Sequence, residues 1–221
     1  MTDKRLASRS WVALLLAAAS LSQLACSTDQ AATWATVRHA LVRSAASESR
    51  PLPDGYAYLR LTVNGVPAMV ALGYVDQDTL GRPVQVWYSS AGEVMRTQDG
   101  RLVGLLGTPV EWRSVAMSAA TPAWADVTQA VAFQRDVDVS PGFRWGQQHA
   151  LTVQRVPPPS DTALAGLSPT ALRWYAEHEV NHRALPARYA VAPASGQVVY
   201  GEQCLAPTFC LTWQTWPPTR P

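Results

Sequence analysis

From Tyr56 onward the apolar residues recur at every second position in short bursts separated by turn residues, the pattern of strands that bury one face. Tyr56 and Tyr58 and, after a small shift, Leu61 and Val63 lead to Asn64-Gly65, a two-residue hairpin signal, and Val66, Met69 and Ala71 continue beyond it. Past Gly73 the turn pairs Ala91-Gly92 and Asp99-Gly100 separate runs rich in Val, Trp, Tyr and Leu, predicting antiparallel strands over 84–89, 93–97 and 101–106. Further β-type runs lie around 130–133, 136–139 and 148–156. Residues 188–205 read as a hairpin around Ser195-Gly196, and Trp216 to Pro221 as an extended tail.

Helix signals occur twice. Thr33 as N-cap, followed by Trp34, Val37, Leu41 and Ala45, predicts a helix over 33–46, closed by the breaker run that ends at Gly55. Ser168 as N-cap with Pro169 at the first helical position predicts a second helix through Arg183. The expected fold is therefore mainly β: an antiparallel barrel or sandwich, with a short N-terminal helix and one helix near the C-terminal hairpin. The stiff connector Pro157–Ser160 leaves open a division into two lobes near residue 157.

The N-terminus changes the picture from fold to address. Lys4, Arg5 and Arg9 precede an apolar run, residues 12–25, that ends at Ala25 and meets Cys26. The run is about 14 residues long, short of the roughly 20 that cross a bilayer as a helix, which favours a cleaved lipoprotein signal. Leu21 and Ala25 fit that signal. Gln23 stands where Leu is usual, and the competing reading is an ordinary secretory signal cleaved near Ala25. Lipidation of Cys26 would attach palmitate-type acyl chains, each contributing about 0.8 kcal/mol per buried methylene. Ser27, rather than Asp, after the cysteine points to the outer membrane and a periplasm-facing domain. Residues 1–25 are thus expected to be the signal, 26–50 the tether and helix, and 51–221 the β domain.

Removal of residues 1–25 leaves 15 Arg, no Lys and 15 acidic residues, a formal balance that argues against nucleic acid as a partner. After Cys26 the cysteines that remain are Cys204 and Cys210. In an oxidising envelope they read as a local disulfide, with about 2–3 kcal/mol from closing so short a loop.

Candidate chemistry is sparse. His178-Glu179-Val180-Asn181-His182 is a literal H-E-x-x-H, which on a helix would put both imidazoles on one face for zinc, with Glu179 as base and Glu202 the available third ligand. The competing reading is a polar helix face near the surface, with Leu172, Trp174 and Tyr175 against the sheet and no metal. No G-x-S-x-G occurs, and His39 and His149 have no nucleophile context. Aromatic rings stack on sugars, and Trp112, Trp124 and Trp145, in less regular stretches, are the candidates for exposed glycan platforms, with burial in the core as the competing reading for each. Trp87 and Tyr88 are adjacent in a strand, so one faces inward and the other outward.

Three blocks carry a family resemblance: YAYLRLTVNGVPAMVALGY; VWYSSAGEVMRTQDGRLVGLLG, with its Gly-Arg-Leu-Val segment leading to Gly107; and the segment holding Tyr189, Val191, Gly196, Val198, Gln203, Leu205 and Pro207. In this order they resemble the YjbF/GfcB lipoproteins, encoded with exopolysaccharide and group 4 capsule genes in Gram-negative bacteria. Residues 109–167 match no block, and the cysteine pair stands outside the pattern. The resemblance implies an all-β outer-membrane lipoprotein that assists assembly or export of extracellular polysaccharide. It brings no catalytic residue and no cofactor; its partners would be export proteins or the exported glycan itself.

Overall fold

The computed structural model describes residues 52–180 and 186–218. The lipidation site Cys26 and the helix expected over 33–46 lie outside the described residues. Twelve strands are formed: β1 (Tyr58–Val63), β2 (Val66–Gln77), β3 (Pro83–Ser89), β4 (Val94–Gln98), β5 (Arg101–Leu106) and β6 (Glu111–Met117), then β7 (Val131–Ser140), β8 (Arg144–Val156), β9 (Arg173–Glu179), β10 (Ala187–Val191), β11 (Val198–Ala206) and β12 (Phe209–Trp216). Each pairs antiparallel with its neighbours in sequence, and β12 returns to β1, closing the sheet into a barrel. The seam between β5 and β6 is the weakest of the ring, with Leu105 opposite Trp112 as its single register pair.

The strands expected over 84–89, 93–97 and 101–106 are β3, β4 and β5, and the Asn64-Gly65 turn joins β1 to β2 with both residues at positive φ, 47° and 82°. The runs around 130–133 and 136–139 are one continuous strand, β7. Period-two alternation sends Leu61, Ala68, Met95, Leu105, Val137 and Leu151 into the core, while Gln134, Asp136, Gln148 and Gln154 face out. Apolar-in and polar-out is the inverse of a membrane-spanning barrel, whose lipid face is apolar. Trp87 turns inward and Tyr88 outward, as the alternation requires.

Large and small residues interlock inside. Gly201 stands in register between Tyr189 and Trp213, and a Cβ there would lie 2.3 Å from Trp213 Cζ2. The indole occupies the space that a side chain would take, and its ring meets Tyr189 edge-on at 6.0 Å.

The helix expected from Ser168 to Arg183 is not formed. A single 3-10 turn, Pro169–Ala171, marks its start, and the following residues are strand β9. Two features hide a strand in that sequence. Glu177 and Glu179 occupy inward positions where apolar residues are the rule, and the outward face, with Trp174, is covered instead of solvated. The cover is the β8–β9 connector: Leu164, Leu167 and Leu172 pack on Trp174, Ala190 and Tyr200 outside the barrel. Gln214 holds it by two bonds to the Ala165 backbone, 2.9 and 2.7 Å. The connector thus joins neighbouring strands of one barrel, and the strands do not divide into two lobes at residue 157.

Cys204 and Cys210 form the expected disulfide, paired directly across the β11–β12 hairpin. Asn64 clamps this hairpin from the neighbouring turn: its side-chain amide donates to Thr208 O at 3.0 Å and accepts from Cys210 N at 2.9 Å.

Replacing Gly201 by Ala should cost about 1–3 kcal/mol, because the added Cβ claims space that the Trp213 ring holds. Urea denaturation monitored by tryptophan fluorescence reads this directly. An unchanged midpoint would show that the ring is free to move.

Candidate functional site

The residues singled out from the sequence do not converge. Trp112 and Trp124 are buried in the barrel interior, so neither is a surface platform for sugar. Trp145 is 55% exposed, beside Phe143 near the β7–β8 turn. His178 and Glu179 are consecutive on strand β9, not on the expected helix, and therefore project to opposite sides of the sheet. His182 lies outside the described residues. Glu202, the available third ligand, is instead ion-paired with Arg188 and accepts from Tyr200 Oη at 2.8 Å.

What the fold does bring together is a polar cluster inside the barrel. Arg101 Nε donates to Glu177 Oε1 at 2.7 Å, both residues almost fully buried, and Tyr189 Oη donates to the other carboxylate oxygen at 3.3 Å. The Arg101 guanidinium lies 3.7 Å from the centroid of the Trp124 ring, and that of Arg135 lies 4.5 Å from Trp112. Both contacts place a cation over an aromatic face in a desolvated setting, where such pairs are strongest. Arg135 also faces His149 Nδ1 at 3.4 Å; burial, with Arg135 beside it, holds the imidazole below its usual pKa, so the ring accepts as the neutral form. Burial pushes the Tyr189 phenol well above the ordinary range.

This cluster supports one barrel mouth. There the β4–β5 turn, Asp99-Gly100, has both residues at positive φ, 49° and 75°, and packs against Val198 so closely that a Cβ on Gly100 would lie 2.3 Å from it. Two indoles pin the turn: Trp124 Nε1 donates to Asp99 O at 2.8 Å, and Trp213 Nε1 to Gly100 O at 3.2 Å. Trp124 reaches this place from a 3-10 turn, Trp124–Asp126, in the β6–β7 connection. On the rim, Asp78 accepts from Gln98 Nε2 at 2.8 Å and Arg82 Nε at 2.7 Å. Despite some desolvation, these bonds hold its carboxyl far below the usual range.

Asp99 stands between two cavities. The larger, about 440 Å³, is lined by Val75, Gln85, Trp87, Thr97, Asp99 and Trp213 among others. The smaller, about 400 Å³, is lined by Arg82, Gln98, Asp99, Arg101 and Thr121 among others. In the larger one Thr97 Oγ1 accepts from Trp87 Nε1 at 2.9 Å and donates to Gln85 Oε1 at 3.1 Å, which orients both side chains. Among the described residues no three His, Cys, Asp or Glu side chains are grouped to hold a metal ion.

Residues 31–214 match the family described as group 4 capsule polysaccharide lipoprotein GfcB, YjbF. The chain belongs to this family. A solved structure with the same fold is the hypothetical lipoprotein YmcC from Escherichia coli K12: 18% identity, TM-score 0.58, covering 83% of this chain and 95% of that one. No curated protein matches. The YjbF-family assignment carries a capsule-related role and, as a lipoprotein family, a membrane-associated location. The mouth turn sits inside the block with Gly100-Arg101-Leu102-Val103 on which the sequence resemblance rested. Sequence reading identified Asp99-Gly100 as a turn and Trp87 as a strand residue. Nothing in the local pattern shows that Trp213 and the distant Trp124 meet there.

Two outcomes follow for this YjbF-family barrel. Arg101→Ala leaves Glu177 buried without its cation and should cost about 3–5 kcal/mol, whereas Arg101→Met with Glu177→Leu should recover most of the loss. Chemical denaturation of the three proteins measures this. The Asp99 carboxyl is pushed up by burial, with Arg101 drawing it partly back. A raised folded-state pKa means that ionising Asp99 costs stability, which is intact at low pH and lost as pH rises through that value. Asp99→Asn, tolerated at positive φ, should melt above wild type at pH 7. The gap should close below about pH 4, near the ordinary Asp value.

Proposed function

We propose that this protein is a lipid-anchored, periplasm-facing component of the outer membrane that assists assembly or export of a surface polysaccharide without catalysing a covalent step. The observation that carries the reading is the match of residues 31–214 to the capsule polysaccharide lipoprotein family. Three features support it. The Cys26 signal provides a lipid anchor. The outward strand positions are polar, as suits a domain held beside a membrane and not within it. The interior is filled by side chains, including Trp112, Trp124, Tyr189 and Trp213, so the barrel suits a binding or scaffolding part better than a conduit for polymer.

Its partners on this reading are the export proteins, the exported glycan, or both. The zinc-hydrolase alternative loses its main support with the strand conformation of His178 and Glu179.

Deletion of the gene should remove the surface polysaccharide. Complementation with Cys26→Ala should leave the protein soluble in the periplasm and fail to restore the polymer, while His178→Ala should restore it. Immunoblots of membrane and periplasmic fractions, with a stain for the polysaccharide, measure both. Unchanged polymer in the deletion strain would overturn the role, and failure of a folded His178→Ala protein would reopen catalysis.

A further inference from the structure

We infer that the larger mouth cavity binds a short uncharged segment of polysaccharide, one or two sugar rings, with Asp99 and Gln85 meeting the hydroxyls. The inference rests on the polysaccharide role proposed above and assigns that role a site. A volume of about 440 Å³ falls in the range of small-molecule pockets, roughly 300–1,000 Å³. A pyranose ring has apolar C–H faces and a polar edge. The cavity offers the complement: the exposed aliphatic Val75 is its open apolar wall, backed by the buried Trp87 and Trp213 and set among Gln85, Thr97 and Asp99.

Val75 is the informative residue. It lies opposite Gln85 on the cavity side of β2, yet is 55% exposed, an apolar side chain lining a concavity with water over it. Burial of such a side chain beneath a ligand contributes at about 25 cal/mol per Å². Gln85 supplies the polar counterpart. Its Oε1 is committed to Thr97, while its amide nitrogen has no hydrogen-bond partner among the described residues.

Charge sets the specificity. Asp99 is the one ionisable side chain lining this cavity, and no Arg, Lys or His lines it. A carboxylate accepts from sugar hydroxyls, and although Asp99 is half-exposed and paired with Arg101 at 3.3 Å, the cavity wall holds no cation for a uronate to meet. Neutral sugars are therefore selected over anionic ones. The site is also rigid before binding, because the two indole N–H groups fix the Asp99-Gly100 turn, which lowers the ordering cost of association.

The test is isothermal titration calorimetry of the full lipidated protein in detergent. The probes are neutral di- to tetrasaccharides released by mild acid from the producing strain's own polysaccharide, with trigalacturonate as the anionic comparison. Wild type should bind the neutral fragments and discriminate against trigalacturonate. Val75→Arg, which fills the cavity from an exposed position, should weaken binding by about tenfold or more with an unchanged melting midpoint. Asp99→Asn should narrow the discrimination. Equal binding by Val75→Arg, a preference for trigalacturonate, or no binding would overturn the site. If no fragment binds while the deletion strain still lacks its polymer, the cavity assignment fails and the accessory role stands. If fragments bind and deletion changes nothing, the accessory role fails and the cavity stands.

Discussion

Twelve strands closed into one ring enclose more space than the ring's aliphatic side chains can fill, and the rest of the structure follows from that constraint. About eight strands give an interior that wall residues fill by themselves, and diameter grows with strand number. Here the excess is taken up by aromatic and guanidinium groups. Trp124 comes from a connection and not from the wall, and it lies with ring centroids 5.2 Å from Tyr175 and 4.9 Å from Tyr189. Arg101 fills the space on its other side. A guanidinium is planar and stacks on indole, so it packs where an ammonium would not. Its charge then demands a carboxylate in the same low-dielectric interior, and Glu177 supplies it.

That solution decides what was legible in the sequence. Strands β1 to β4 announce themselves by apolar inner positions and by Asn64-Gly65, Ala91-Gly92 and Asp99-Gly100 at their turns, and β5, buried from Arg101 to Leu105, by its apolar run after Asp99-Gly100. Strand β9 is hidden, because Glu177 and Glu179 point inward and Trp174 is covered by the connector. Ser168 and Pro169 ahead of it mimic a helix N-terminus, and His178-Glu179 at its end open a zinc motif whose second His lies outside the described residues. Strands β6 and β12 carry no comparable signal: Trp112 stands in an irregular stretch yet is packed under Arg135, and Phe209–Trp216, between the expected hairpin and the tail, closes the barrel onto β1. The Cys204–Cys210 pair was readable because a bridge of short span depends on local chain and compartment alone. The mouth was not, since it gathers side chains from β2, β3, β4 and β12 whose proximity exists only after closure.

The two ends of the barrel are finished differently. At one end the β1–β2 and β11–β12 turns are tied by Asn64 and by the disulfide, so backbone groups there are satisfied by short covalent and hydrogen-bonded links. At the other, the β4–β5 turn folds across the opening and is held from beneath by Trp124 and Trp213. It seals the polar cluster from water yet leaves space on either side of Asp99. This second end presents polar groups beside an apolar one: Asp99 is half-exposed, Gln85 keeps its amide nitrogen free of protein partners among the described residues, and the apolar Val75 is left wet. Proteins break local rules at functional sites, and the wet Val75 is such a break, whereas the buried unpaired oxygens among the described residues, Glu179 Oε2 and Gln203 Oε1, belong to residues outside the cavity. The cross-linked end and the buried Arg101–Glu177 pair keep the frame rigid around the mouth, so it can hold these exposed groups in fixed positions without the barrel rearranging to bury them.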